Sequence, residues 1–285
     1  MYLFFAFSGV EVAKSPTPTS NDPATQYLYI ALCFGFSLAV NVWIFFRVSG
    51  GFFNPAVTFG FLVAGKLPPL KAAVHFFAQM LGGMAAAGLV KCLFPGNLDV
   101  GTKLSAGTSV AQGLFIEMFI TAELVFTVFM LAAEKHKATF LAPIGIGLVF
   151  FVIELVSVYF TGGSANPARS FGPCIANRSF PGVHWIYWVG PGLGAILAAA
   201  VYKLVKMLEY EQANPGQDAA HVCTHGDKCP YDGANDHDDD HSIPERRPTD
   251  LEARAGACTM SGGVGRPECG LYPPSPPPAA AGARA

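Results

Sequence analysis

Two stretches of this 285-residue chain are near copies of each other: Ser49 to Gly60 (SGGFFNPAVTFG) and Thr161 to Gly172 (TGGSANPARSFG). With Ser and Thr taken as equivalent, only three of the twelve aligned positions differ: Phe52 against Ser164, Phe53 against Ala165, and Val57 against Arg169. Each copy contains an Asn-Pro-Ala tripeptide, Asn54-Pro55-Ala56 and Asn166-Pro167-Ala168. An Asn side-chain oxygen can cap a helix start while its amide keeps N–H donors for a small polar guest. Pro fits the first helical turn, where its missing N–H leaves no bond unmade. The glycines ahead of each Asn (Gly50, Gly51, Gly162, Gly163) can expose backbone carbonyls to the same guest. Arg169 adds one permanent charge to one copy only, and marks where selection between guests would occur. Such groups hold and sort small polar molecules. Bond breaking needs a nucleophile–base constellation, which the chain lacks, so an enzyme is not expected.

The elements that must position these loops are apolar. Hydrophobic residues make up 52% of the chain and charged residues 13%, about half the usual charged share. Before Glu209 there are 12 Lys+Arg against 7 Asp+Glu, and from Glu209 onward 6 against 13, so a basic apolar body precedes an acidic tail. Five segments approach the roughly 20 residues that cross a bilayer as helix. They are Tyr27 to Phe46, Ala72 to Phe94, Val110 to Ala133, Phe140 to Phe160 and Trp185 to Leu208. Pro55 to Ala64 and Pro167 to Ala176 are too short to span and read as half-length helices that start inside the membrane. Met1 to Ala13 is apolar, but as helix it covers about 20 Å of a core about 30 Å thick. It is read as a transmembrane helix lacking its first part, either truly or through a misplaced start.

Counting that helix gives three spans and then three spans, with a duplicated loop after span two and another after span five. An odd number of crossings inverts the second half, so the half-helices enter from opposite faces and their Asn-Pro starts can meet near the midplane. Irregular backbone at that depth must be buried in protein or line a water-filled cavity. The topology therefore implies a pore or a central binding site. Gly82/Ala86, Gly83/Ala87 and Gly190/Gly194 offer small-residue spacing for close helix packing.

The paired tripeptides, in matching loops of an inverted repeat, resemble the aquaporin family from Met1 to about Leu208. The resemblance implies an all-α membrane protein, an aquaporin-like inverted repeat of 3+3 transmembrane helices with two re-entrant half-helices. The implied domains are a channel domain over 1–208 and a disordered, acidic, Pro-rich cytoplasmic tail over 209–285. It also implies a narrow filter formed by Arg169 with Phe34, Glu154 and Gly163, and a loop-supporting role for Glu117. The matching Glu of span one is absent. Glu154 departs from the family, whose water-selective members commonly have His there. A carboxyl at that position can pair with Arg169 and narrow the pore, can keep its proton, or can face a neighbouring helix instead. Ser170 after Arg169, and Tyr187-Trp188, resemble water-selective members.

The expected function is passive water flow, with protons and cations excluded at the paired motifs. One alternative is a broader pore for neutral solutes such as glycerol or hydrogen peroxide; another is a non-conducting membrane protein. The expected partners are water, small neutral solutes, the lipid bilayer and three further copies in a homotetramer, with no nucleic acid. Lys and Arg bias places both termini in the cytosol, the plasma membrane being the first choice and an intracellular membrane the second. No cofactor or metal is expected: Cys33, Cys92 and Cys174 are read as small apolar side chains, and His221, Cys223, His225 and Cys229 lack zinc-module spacing. Asn177-Arg178-Ser179 is a formal glycosylation sequon, expected to be unoccupied so close to a half-helix.

Overall fold

A computed structural model describes residues 1–15, 22–105, 107–134 and 138–213. The expected tail and its Cys/His residues lie outside these from residue 214 onward. Eight α-helices order the described residues: α1 (Tyr2–Lys14), α2 (Pro23–Ser49), α3 (Pro55–Val63), α4 (Pro69–Leu93), α5 (Val110–Val128), α6 (Ala142–Thr161), α7 (Pro167–Asn177) and α8 (Ile186–Met207). The last turn of α5 widens to a π-helix over Phe129–Ala133. No strand occurs among the described residues.

Helices α2, α4, α5 with its π turn, α6 with its leading turn, and α8 are each long and apolar enough to cross a membrane. Their outward faces carry Phe36, Trp43, Leu70, Phe77, Phe119 and Leu148, all exposed. Polar side chains collect inside instead, among them Asn54, Glu117, Glu154, Asn166 and Arg169. An apolar exterior around a polar interior suits lipid and not water as the outer solvent. Glu123 is the exception, lying on the exposed side of α5.

Local chemistry sets the ends of the elements. Asp22 caps α2, accepting from the backbone N–H groups of Ala24 and Thr25, with Pro23 in the first turn. A Ser109/Gln112 capping box starts α5. Both α2 and α6 stop at a left-handed glycine, Gly50 (φ 78°) and Gly162 (φ 82°), so the duplicated loops leave equivalent helices with the same turn.

The bundle interlocks through close backbone approaches, within and between the halves. Helix α4 packs on α7, α3 on α8, and α5 along α8. A Cβ on Gly83 would lie 2.6 Å from the carbonyl oxygen of Ala168, inside the second tripeptide. Of the small residues singled out in α4, Gly83 thus carries the contact, while Gly82 faces open space. In α8, a Cβ on Gly190 would lie 2.8 Å from Cβ of Glu117. Close packing of α8 therefore fixes the depth of a buried carboxyl that matters below.

Candidate functional site

The N-termini of α3 and α7 meet. Asn54 caps α3, its side-chain oxygen accepting from Ala56 N–H at 2.8 Å. Asn166 caps α7 by accepting from Ala168 and Arg169 N–H at 3.0 and 3.3 Å. Each amide also reaches across to the other loop: Asn54 Nδ2 donates to the Ala165 carbonyl at 2.7 Å, and Asn166 Nδ2 to the Phe53 carbonyl at 3.1 Å. One N–H of each amide is thereby used to lock the two half-helices together. A primary amide has two, so one per Asn is left for a guest. The two positive helix ends oppose each other at this junction.

The loops are supported unequally. Glu117 of α5 is fully buried and accepts from Ser164 N–H (3.1 Å), Ala165 N–H (2.8 Å) and the Thr161 hydroxyl (2.7 Å). Those bonds hold Ala165 at φ 46°, a left-handed conformation uncommon for a residue with a side chain. Its counterpart Phe53 has no positive φ, and the first loop is held by Gln79, whose Nε2 donates to the Phe52 carbonyl and to Thr58. Two of the three mismatches between the duplicated loops thus accompany a change in backbone path, not only in packing.

Arg169 is buried, and all three of its guanidinium nitrogens donate to carbonyl oxygens. Nε reaches Gly163 at 2.8 Å, Nη2 reaches Gly162 at 3.2 Å, and Nη1 reaches Val100 in the α4–α5 connection. The glycine carbonyls read from the sequence as a ladder for permeating molecules are therefore shared with Arg169. The guanidinium lies 4.9 Å from the centre of the Phe34 ring and 5.5 Å from that of Phe7. Aromatic faces on a buried cation favour its charge. Glu154 is also buried, yet it makes no ion pair with Arg169 among the described residues, and its Oε2 has no hydrogen-bond partner. Three of the five guanidinium N–H groups go to carbonyls. The carboxyl lies against Gly163 instead, where an added Cβ would fall inside contact distance of both carboxyl oxygens and the carbon between them. Only glycine leaves room for it.

Two cavities flank these residues. One of about 170 Å³ is lined by Tyr2, Leu38, Phe150, Asn54 and Asn166 among others. Another of about 290 Å³ is lined by Val10, Ile30, Val158, Gly162 and Arg169 among others. Phe34 lies one turn from Leu38 and one from Ile30 on α2; Glu154 lies one turn from Phe150 and one from Val158 on α6. Both sit between the cavities and line neither. The sequence-derived positions Phe34, Glu154, Gly163 and Arg169 thus converge on one constriction, and the two tripeptides meet on one side of it.

Sequence reasoning missed four contributors. Phe7 and Tyr2 of α1 approach from a helix that the sequence marks only as an incomplete span, and the Val100 carbonyl comes from a connection whose residue types carry no signal. Hydroxyls of Thr102, Ser164 and Ser170 form a buried chain, with contacts of 2.9 and 2.6 Å, behind the second loop. The duplication itself could have pointed to it, since Ser164 replaces Phe52.

A family model described as "Major intrinsic protein" matches residues 1–202. Aquaporin-7 and Aquaporin-5 of Botryotinia fuckeliana are 64% and 60% identical over 230 and 226 residues, covering 78% and 76% of the chain. The chain spans 50% and 42% of those two relatives, half their length or less. "Probable aquaporin-3" of Gibberella zeae is 54% identical over 224 residues, covering 77% of the chain and 78% of the relative. The X-ray structure of the aquaglyceroporin from Plasmodium falciparum superposes with a TM-score of 0.64 at 22% identity, covering 74% of the chain and 95% of that structure. At that identity the superposition speaks for the fold alone.

Proposed function

The chain belongs to the major intrinsic protein family, a family of membrane channels, and on that premise we propose that it conducts water passively and excludes protons and cations at the paired Asn-Pro-Ala motifs. One observation carries this reading: Asn54 and Asn166 are locked to each other's loops where two helix N-termini meet, beside a cavity that both Asn residues line. Two opposed half-helices place about half a positive charge each at that point. A water molecule can accept from the remaining amide N–H groups, whereas a cation meets an electrostatic barrier. Arg169, held by three carbonyls, adds a fixed positive charge at the narrowest place. Phe34 supplies an apolar wall there, and Gly163 supplies the space that Glu154 fills. Glu117 keeps the second loop in shape.

The test is light scattering from proteoliposomes containing the purified chain. Osmotic shrinkage well above that of protein-free vesicles, without matching glycerol entry and without proton leak, is the expected result. Glycerol entry comparable to water would instead support a broader neutral-solute pore, which the polar Glu154 favours. No permeability for either would support a non-conducting member, which the interruption between the two cavities favours.

The proposed assembly is a homotetramer in the plasma membrane, with both termini in the cytosol. The exposed carboxyl side chain of Glu123, on the outward side of a membrane helix, supports a protein neighbour over lipid there. Native mass spectrometry in detergent should give four copies.

A further inference from the structure

We infer that the hydroxyl of Tyr2 is a further specificity-determining group of this pore, acting with Glu154 as a pair of hydrogen-bonding stations for the permeant between the Asn junction and Arg169. This rests on the reading of the chain as a channel.

Tyr2 is buried on α1, and its hydroxyl has no hydrogen-bond partner. Its ring is fixed by three others: Phe34 at 6.4 Å, Phe150 at 6.0 Å and Phe53 at 6.2 Å between centroids. Phe150 stands one turn before Glu154 on α6, and Phe34 lies under the Arg169 guanidinium at 4.9 Å. Tyr2 also lines the 170 Å³ cavity together with Asn54 and Asn166. It therefore belongs to the Asn side of the constriction, one ring away from Arg169 through Phe34 and from Glu154 through Phe150.

Buried polar groups are almost always hydrogen-bonded, and an exception calls for a cause. Two exceptions occur here on facing helices, the Tyr2 hydroxyl and Glu154 Oε2. Arg169 does not serve Glu154: its guanidinium bonds the carbonyls of Val100, Gly162 and Gly163, and no ion pair joins it to the carboxyl among the described residues. Nothing in the surrounding ring of Phe34, Phe53 and Phe150 can serve Tyr2. A molecule passing through the lumen can serve both. A phenol hydroxyl donates and accepts, and a carboxyl accepts in either protonation state, so a permeant with O–H groups moves from the Asn amides to Tyr2 and Glu154 without crossing an unbroken aromatic wall. A site built to bond a hydroxyl discriminates more sharply than an apolar sieve of the same width.

Tyr2→Phe removes the hydroxyl and keeps every ring contact. In proteoliposomes of the full chain it should lower water permeability by about threefold to tenfold, the effect of one lost hydrogen bond. The same change made on a Glu154→Gln background should lower it by less than about twofold, because the two stations act as a unit. No change in Tyr2→Phe, or an equal loss in both backgrounds, overturns the pairing. Infrared spectra of the same samples supply a readout independent of flux. The Glu154 carboxyl band, identified by its loss in Glu154→Gln, should shift in Tyr2→Phe, and an unmoved band also overturns the proposal. A chain that conducts nothing would refute the channel reading and the pair with it, whereas a conducting chain without the shift would refute the pair alone.

Discussion

Glu154 shares with Tyr2 a feature that sets the two apart at the constriction: a buried oxygen with no hydrogen-bond partner. The sequence left three roles open for Glu154, pairing with Arg169 among them, and in the structure the guanidinium bonds three carbonyls and makes no ion pair with the carboxyl among the described residues. Replacing Glu154 by His tests whether the carboxyl lies in the permeation path. An imidazole is bulkier, carries its own donor, and titrates near neutrality. Glu154→His should change the glycerol-to-water permeability ratio by about threefold or more, or give water flux a new dependence on pH between about 6 and 7. If flux, selectivity and pH response all match the parent protein, Glu154 lies outside the path. At this scale the sequence was legible wherever a residue type is rare in an apolar context, as with Asn54, Asn166, Arg169 and Glu117. It was silent on the Val100 carbonyl and on Phe7, because any residue has a carbonyl and most residues around Phe7 are aromatic or aliphatic.

At the scale of elements, the half-helices could be read from Asn-Pro starts and from segments too short to span, and α3 and α7 begin at Pro55 and Pro167. What could not be read is which small residues set the distance between helices. Gly82 and Gly83 are neighbours in sequence with the same small-residue spacing, yet only Gly83 touches α7, since adjacent helical positions point about 100° apart. That difference predicts opposite outcomes from the same substitution. Gly83→Ala places a methyl 2.6 Å from the Ala168 carbonyl oxygen and must push the start of α7 away from its partner loop. Overpacking of this kind costs about 1–3 kcal/mol, so a lower thermal midpoint and reduced water permeability are expected together. Gly82→Ala meets nothing within 4 Å and should stay within about 0.5 kcal/mol of the parent. Equal effects from the two substitutions would mean that α4 does not set the position of α7.

At the scale of the molecule, the two halves are joined at the Asn junction and again at one end of the bundle. Glu134, just beyond α5, accepts from the Tyr202 hydroxyl and, at 3.0 Å, from Lys206 of α8; Lys66, just beyond α3, approaches at 3.7 Å. Lys203 adds a bond at 2.9 Å to the carbonyl of Val63, the last residue of α3. A single carboxylate thus ties the first half-helix to two helices of the other half, a link the sequence did not reveal because its partners lie about 70 residues away on either side. Burial works against the charged form of Glu134, but the Tyr202 and Lys206 hydrogen bonds and the charges of Lys206 and Lys66 outweigh it and hold the carboxyl below its ordinary value of 4.5. A carboxyl whose pKa is lower in the folded protein stabilises it above the ordinary value, and that contribution disappears as pH falls through the depressed one. Glu134→Gln keeps the shape and loses the charge. At pH 7 it should be less stable than the parent by about 1 kcal/mol, as befits a partly exposed cluster. Thermal midpoints of the two proteins, followed downward from neutral pH, should converge once the pH passes below the depressed pKa, because the parent then carries the same neutral group. A gap that stays constant across that range would mean the clasp works by shape, and a gap that widens in acid would reverse the assigned sign.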